Sequence, residues 1–267
     1  MRMRIPFNRM LRSLFLALFF TQIVVLTENV VWARVFRMAD ETVATYFGGS
    51  YGPSLLKQSH FSGTSGTGAT IDKSFLFNNG AEFGLLFRGP KLGIRFGVES
   101  IMPSTLTKGT GSDANGLSLY NFQSNISALV PKITMEFNLK AGDNWRTFLA
   151  LGYGSATATY KNTYTLTTDG QSAFPGVADF SDEGTAAATL YDGSLGYEVL
   201  MNDTTTIALS VGYRKLEILK YKYKADVINF SGNHSKGDPV LNDDGTDKTS
   251  LFTGSHASIL FRFYLGK

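Results

Sequence analysis

His256 and Ser258 come nearest, by type and spacing, to a catalytic pair in this chain. Residues two apart lie on one face of a β-strand, and a histidine beside a serine can act as the general base that activates a nucleophilic hydroxyl. Such a pair also needs an acidic group that orients the imidazole. None of the nine residues after Ser258 is acidic. We therefore predict that His256 is an ordinary hydrogen-bonded residue, that no residue is catalytic and that the protein is not an enzyme.

A run of amide and acidic residues at 242–247 has part of the spacing of a calcium-binding loop. When Gly245 takes the glycine position of such a loop, Val240 and Leu251 fall where the first and last ligands should be. Turns built on asparagine and aspartate explain the run without a cation. The chain has no cysteine and its three histidines are scattered, so we predict no metal site and no cofactor.

The first 33 residues have the layout of a secretory signal peptide. Four arginines precede an apolar stretch at residues 14–26, and Val31 and Ala33 supply small residues for cleavage before Arg34. The apolar stretch is shorter than the roughly 20 residues that a transmembrane helix needs. Cleavage is the expected outcome, and an uncleaved N-terminal anchor is the alternative.

Most of the net charge belongs to this leader. Of the 25 basic and 22 acidic residues in the chain, the leader holds four and one, which leaves 21 of each sign in the remainder. A domain without a basic excess is not expected to bind nucleic acid.

Eight stretches after residue 42 alternate apolar and polar side chains, which is the period of a β-strand with one apolar face. Three tight turns and four long connections join them in alternation, and residues 161–184 are predicted to be one of the long loops. The fourth stretch changes its hydrophobic phase at Pro131, where we expect a β-bulge because proline cannot donate a ladder hydrogen bond. The stretches are residues 43–52, 75–88, 92–99, 120–139, 145–153, 189–199, 207–214 and 256–265.

This arrangement predicts an all-β protein, an eight-stranded antiparallel up-and-down transmembrane β-barrel with short periplasmic turns and long extracellular loops. The alternative is a soluble barrel or sandwich, which would turn its charged face to water and its apolar face inward. The expected organisation is a signal peptide at residues 1–33, a short periplasmic segment at 34–42 and the barrel at 43–267.

Ten charged residues lie on the strand face opposite the aromatic side chains and are predicted to form a structural ion network in the lumen. Eight strands enclose little more than the volume of their own side chains, so these charges should pair across a closed interior; a thin water-filled lumen is the alternative. Inward glycines should make room for the arginines, and Glu82 and Arg95 should pair because they lie at similar heights. The ten are Glu82, Arg88, Arg95, Glu99, Glu136, Arg146, Asp192, Glu198, Arg214 and Arg262.

The chain resembles the small eight-stranded outer-membrane proteins of Gram-negative bacteria, of the OmpA transmembrane domain, OmpX and OmpW type. The Gly-Tyr triplets at residues 151–153, 195–197 and 211–213 and the aromatic final strand carry the resemblance, which covers residues 43–267. It implies a location in the outer membrane, contact with its lipids and lipopolysaccharide, and insertion by the barrel-assembly machinery. The insertion signal usually ends in an aromatic residue, whereas this chain ends in Leu265-Gly266-Lys267. His256 and Ser258 resemble the His-x-Ser element of lipid A deacylases, but the supporting glutamate of that family is missing.

These observations favour a non-enzymatic outer-membrane barrel with a charge-plugged lumen, serving as a surface or envelope-integrity scaffold or as a support for interacting loops. An OmpW-like channel for small or hydrophobic solutes is the alternative, and a lipid A-modifying enzyme is the third. The loop sequences identify no partner. Four lysines near the end of the seventh strand are candidates for contact with lipopolysaccharide phosphates; alternatively they form a solvated strand end whose tyrosines belong to an aromatic girdle. They are Lys215, Lys220, Lys222 and Lys224.

Overall fold

The structure is a computed structural model that describes residues 41–53, 68–71, 77–103, 107–242 and 245–265. All of them belong to one compact unit, Phe36–Lys267. The expected signal peptide lies outside the described residues, as does almost all of the expected periplasmic segment. No helix in the described part is long and apolar enough to cross a membrane.

The described residues form fourteen strands and one short helix. In chain order they are β1 (Val43–Pro53), β2 (Gly68–Ile71), β3 (Phe77–Arg88), β4 (Leu92–Pro103), β5 (Thr107–Ser112), β6 (Ser118–Ala141), β7 (Trp145–Leu166), α1 (Thr168–Ala173), β8 (Phe180–Asn202), β9 (Thr205–Ile218), β10 (Lys222–Tyr223), β11 (Val227–Asn229), β12 (Gly232–His234), β13 (Ser250–Leu251) and β14 (Gly254–Tyr264).

Eight of these strands close into a ring. In the order β1, β3, β4, β6, β7, β8, β9 and β14, each is antiparallel to the next, and β14 also pairs with β1. The closing pair places Phe47 opposite Phe261, and the two rings stack with centroids 5.5 Å apart. The predicted eight-stranded antiparallel barrel is confirmed, and all eight predicted stretches are strands of the ring.

One end of the ring consists of three tight turns, between β3 and β4, β6 and β7, and β8 and β9. The Gly89 amide donates to the carbonyl of Leu92, and the Gly142 amide donates to that of Trp145, each at 2.8 Å. A side chain at Gly142 would collide with the indole of Trp145, so glycine here lets the indole pack over the turn. We call this the short-turn end of the ring.

The β-bulge predicted at Pro131 is wrong. The register of β6 against β4 and β7 runs through Pro131 without a shift, and even-numbered side chains point inward from Tyr120 to Glu136. A bulge interrupts β6 between Asn138 and Lys140 instead. The hydrophobic phase changes because both faces of the strand change their surroundings: beyond Leu129 the outward residues become polar and the inward ones apolar.

The long loop predicted at residues 161–184 is mostly regular secondary structure. β7 continues to Leu166 and β8 begins at Phe180, with α1 between them. Part of the long connection between the third and fourth predicted stretches is also strand, since β5 (Thr107–Ser112) pairs with β6. We define the extension as the part of the ring farthest from the short-turn end, together with the segments that cover it. It comprises the residues before Leu129 on β6, after Tyr153 on β7 and before Tyr191 on β8.

The extension has an apolar interior like that of a soluble protein. Tyr120 and Phe174 both contact Phe230, with ring centroids 4.8 and 4.6 Å apart, and Tyr164 stacks on Phe180 at 4.7 Å. Residues 219–242 and 245–253 cover this interior, and Phe252 is buried there. Burial of these rings stabilises the extension.

Candidate functional site: the ion network inside the ring

All ten charged residues of the predicted network have side chains that are buried or nearly so inside the ring. Outward side chains on the same strands are apolar and exposed, for example Phe83 and Phe96. Strand alternation separates the two sets, because successive side chains of a strand point to opposite faces. The interior is therefore more highly charged than the outer wall of the same strands.

The half of the network near the short-turn end is built around two fully buried carboxylates. Glu136 forms an ion pair with Arg95 at 2.9 Å and accepts hydrogen bonds from Arg262 at 2.6 Å and from Arg146. Glu198 accepts from Arg146 and Arg262, both at 2.6 Å. Each guanidinium thus lies between carboxylates, which offsets the desolvation of burying it.

Tyrosines complete this half. The hydroxyl of Tyr264 donates to Glu198 at 2.8 Å and accepts a bond from Arg88 at 3.3 Å. The hydroxyl of Tyr46 donates to Glu82 at 2.7 Å. The aromatic rings fill space that would otherwise admit water between the ion pairs.

The other half of the network includes a lysine that was missing from the prediction. Lys132 lies 2.8 Å from Glu82 and 2.9 Å from Glu99, and Arg214 also contacts Glu99. Lys132 lies four positions before Glu136 on β6, and an even spacing along a strand puts both side chains on the same inward face. The sequence therefore contained the signal that identifies this residue.

The predicted heights of Glu82 and Arg95 are wrong. The register pairs Glu82 with Glu99 and Arg95 with Leu86, so the two residues are offset by four positions along the hairpin. They still form an ion pair at 3.6 Å, because an arginine side chain spans the offset. The closer partner of Arg95 is Glu136.

None of the inward glycines has an arginine atom among its nearest neighbours, so the expectation that they make room for arginines is wrong, and two of them instead accommodate aromatic side chains. A side chain at Gly97 would collide with the hydroxyl of Tyr46. One at Gly196 would meet the ring of Phe148, which lies directly opposite on β7. The guanidiniums of Arg146 and Arg262 in turn lie 4.9 and 5.2 Å from the centroid of this ring, within the range of cation–π attraction.

Little open space remains beside the network. A cavity of about 10 Å³ lies at its end away from the tight turns, lined in part by Asn78, Arg214 and His256. That volume is close to the minimum needed for one water molecule.

His256 and Ser258 lie on the same inward face of β14 but make separate contacts. His256 Nε2 is 3.5 Å from Asp192, whereas the Ser258 hydroxyl is 2.6 Å from that of Ser210. A general base must be within hydrogen-bond reach of its nucleophile, and no hydrogen bond joins these two residues among the described contacts. The structure thus contains an acidic partner for the imidazole, Asp192, that the sequence did not indicate.

The four candidate lysines are exposed, and three of them have carboxylate neighbours. Lys215 lies 3.8 Å from Glu217, Lys220 3.3 Å from Asp247 and Lys224 3.4 Å from Glu183. Lys222 is exposed and has no carboxylate within 4 Å among the described residues. The intervening Tyr221 and Tyr223 are buried in the extension, so the alternative that places them in a girdle is wrong.

Among the described residues of the extension, one carboxylate is buried, that of Asp182 on β8. It lies among aromatic rings near Lys248, and burial raises its pKa above the usual value of 3.8 despite the attraction of Lys248. The neighbouring Glu183 faces outward, and its hydrogen bond to Lys161 lowers its pKa. No group of three metal-ligating side chains occurs in the described part of the chain; Asp243 and Asp244 of the calcium-like run lie outside it.

No family model matches the chain, and no curated protein matches it. Similar solved structures include outer membrane protein OprG from Pseudomonas aeruginosa, with 12% identity over 88% of this chain and all of that one and a TM-score of 0.40. Neisserial surface protein A has 7% identity over 84% of this chain and all of that one, with a TM-score of 0.35. The outer membrane protease OmpT from Escherichia coli has 8% identity over 90% of this chain and all of that one, with a TM-score of 0.33.

These proteins fall in the class of bacterial outer-membrane β-barrels to which the sequence resemblance points. One of them is a protease by name, so likeness at this level does not separate enzymes from other barrels. The fold assignment rests on the strand pairing of the chain itself.

Proposed function

We propose that this protein is an outer-membrane β-barrel with a closed lumen that carries a folded extension on the cell surface. The distribution of side chains across the wall supports the proposal: charges are buried inside, and large apolar side chains are exposed on all eight strands of the ring. A soluble domain has the opposite arrangement, because exposing a wide apolar surface to water is unfavourable. Lipid around the ring removes that cost.

The height of the apolar surface fits a bilayer. On β6 the outward residues are apolar from Leu129 to Leu139, and at about 3.3 Å per residue they extend about 33 Å along the strand. A strand tilt of about 40° reduces this to about 25 Å along the barrel axis, the usual height of the apolar band of outer-membrane barrels.

The upper boundary of the apolar surface behaves as a plane cut across tilted strands. Outward residues become polar between Tyr153 and Ser155 on β7, and between Tyr191 and Thr189 on β8, which are register partners. On β6 the outward residues become polar four register positions farther from the short-turn end than on β7. On β9 they become polar two positions nearer to that end than on β8. Steps in one direction are what tilt and stagger produce.

Aromatic side chains mark both boundaries, as in membrane barrels. Tyr153 and Tyr191 contact each other near the upper boundary, with ring centroids 5.6 Å apart. Trp145 stacks with Tyr197 near the short-turn end at 6.1 Å. Short turns face the periplasm in this class, so we place the extension outside the cell.

Planar-bilayer conductance of the refolded protein tests whether the lumen is closed. The interlocked ion pairs and the packed interior of the extension predict no stable conducting level. Channel steps that persist in the wild-type protein would contradict the closed scaffold and favour the channel for small or hydrophobic solutes. The proposed scaffold assigns no catalytic role to His256 and Ser258, whose contacts are with Asp192 and Ser210 respectively.

Contact with lipopolysaccharide phosphates is part of the proposal. Lys215 pairs in register with Tyr191 at the upper boundary, where headgroups would lie. Its ion pair with Glu217 is exposed and therefore weak, so a phosphate can replace the carboxylate. Lys215→Gln should weaken the lipopolysaccharide dependence of thermal stability, whereas Lys236→Gln, in the covering segment, should not. Equal effects of the two substitutions would contradict the contact.

A further inference from the structure

A groove of about 460 Å³ crosses the outer wall near the short-turn end. Its floor is the row Phe148, Gly196 and Ser210, which are directly opposed across β7, β8 and β9. These residues face the interior, so only their backbone lines the groove. Apolar side chains, among them Leu195 and Leu209, project outward on either side. The volume lies within the usual range of about 300–1,000 Å³ for ligand sites.

A cation and two aromatic rings lie at the end of this groove nearest the turns. Lys140 is exposed, follows the groove residue Leu139 and pairs in register with the groove residue Thr147. Its ammonium is 5.8 Å from the ring centroid of Trp145, which stacks on Tyr197. The bulge between Asn138 and Lys140 changes the local alternation, so that Leu139 and Lys140 are both exposed at this end.

We propose that this groove binds one anionic phospholipid of the periplasmic leaflet, with an acyl chain in the groove and the phosphate at Lys140. The inference rests on the proposed membrane location, because the short-turn end then meets the periplasmic leaflet. An apolar channel that ends at a lysine between aromatic rings matches the two parts of a phospholipid. Basic residues at headgroup level favour anionic lipids. The rings of Trp145 and Tyr197 are of the types that lie at the interface between headgroups and acyl chains. Asp143 in the adjoining turn is exposed, and its negative charge would weaken the attraction between Lys140 and a phosphate.

Native mass spectrometry of the full protein with equal amounts of phosphatidylglycerol and phosphatidylethanolamine tests the site. The wild type should retain phosphatidylglycerol several-fold over phosphatidylethanolamine. Lys140→Gln should bring the ratio close to one. Thr147→Phe, which fills the groove with a side chain suited to lipid, should lower retention of both lipids. Lys91→Gln is the matched control, because Lys91 is an exposed lysine at the same end in the β3–β4 turn.

Unchanged preference in Lys140→Gln, an equal loss in Lys91→Gln, or a dimer mass without bound lipid would overturn the proposal. Heat-modifiable migration after refolding into vesicles, measured on every protein first, separates this result from the proposed function. A wild type that does not insert refutes the membrane location. A wild type that inserts without lipid preference refutes only the phospholipid site.

Discussion

Glu136 is the carboxylate whose removal should destabilise the barrel most. It is fully buried and contacts three guanidiniums, those of Arg95, Arg146 and Arg262. Together with Glu198, this group contains three positive and two negative charges. Glu136→Gln leaves Arg146 and Arg262 with Glu198 alone and leaves Arg95 with Glu82 at 3.6 Å, in an interior where all three guanidiniums are buried.

Breaking a buried ion pair by removing one partner typically costs about 3–5 kcal/mol. The carboxylate of Glu136 serves three arginines and not one, so we expect the upper part of that range. Domains of ordinary stability unfold with about 5–15 kcal/mol, and the substitution should therefore remove a third or more of the total.

Urea unfolding in micelles, followed by heat-modifiable migration, measures this loss. Glu183→Gln is the matched control, because Glu183 also bridges two cations, Lys161 and Lys224, but on the outer surface. Exposed pairs contribute about 0–1 kcal/mol, so the control should unfold almost as the wild type does.

The double variant Glu136→Gln/Arg95→Met tests the physical reason. Removing Arg95 restores the charge balance of the group, and its other partner Glu82 keeps Lys132 at 2.8 Å. The double variant should thus be more stable than Glu136→Gln alone, which is a coupling between neighbours and not additivity. Additive losses, or a cost for Glu136→Gln no larger than for Glu183→Gln, would refute the argument and point to a hydrated lumen.

Three further predictions concern the wall, the extension and the leader. Phe83 is 44% exposed on the apolar wall, so Phe83→Arg should hinder insertion by about 2–4 kcal/mol. Thr159→Arg, on the polar outer face of the extension, should not hinder insertion, and equal folding yields of the two variants in vesicles would contradict this. Burial raises the pKa of Asp182, so the stability from its protonation is present below pH 3.8 and is lost as pH rises through the raised pKa. Asp182→Asn should therefore flatten the pH dependence of urea unfolding over that window, and an unchanged slope would count against this. Cell fractionation and N-terminal sequencing should find the mature chain in the outer membrane beginning near Arg34, and a full-length chain in the inner membrane would disprove cleavage.

The ring itself could be predicted from local patterns. Large apolar residues alternate with small or charged ones near the short-turn end, as in Phe83, Gly84 and Leu85 on β3, and the tight turns carry their own signals, such as Gly89 followed by Pro90. These signals depend only on neighbours in sequence and on turn geometry. The exact ion pairs could not be predicted, because strand stagger brings Arg95 to Glu136 on another strand and offsets it from Glu82 within its own hairpin.

The extension was missed because its pattern is weaker and reversed. Along β7 beyond Tyr153, threonines alternate with alanines, tyrosines and one asparagine, so the two faces differ little in hydrophobicity. The tyrosines point inward there, opposite to the outward tyrosines nearer the short-turn end. A search for one apolar outward face therefore ends at the boundary and assigns the remainder to a loop.

A change of hydrophobic phase along a strand has two physical causes that single-strand reasoning cannot separate. A bulge rotates all later side chains to the other face, whereas a boundary between two media leaves every side chain in place and exchanges what surrounds it. Neighbouring strands distinguish the two, because a bulge belongs to one strand and a boundary crosses all of them. The phase changes near Tyr153 on β7 and Tyr191 on β8 lie at the same register, and the change near Leu129 on β6 lies four positions away. Comparison of those three stretches would have indicated a boundary near Leu129 in place of a bulge at Pro131, and a barrel that continues as folded structure beyond it.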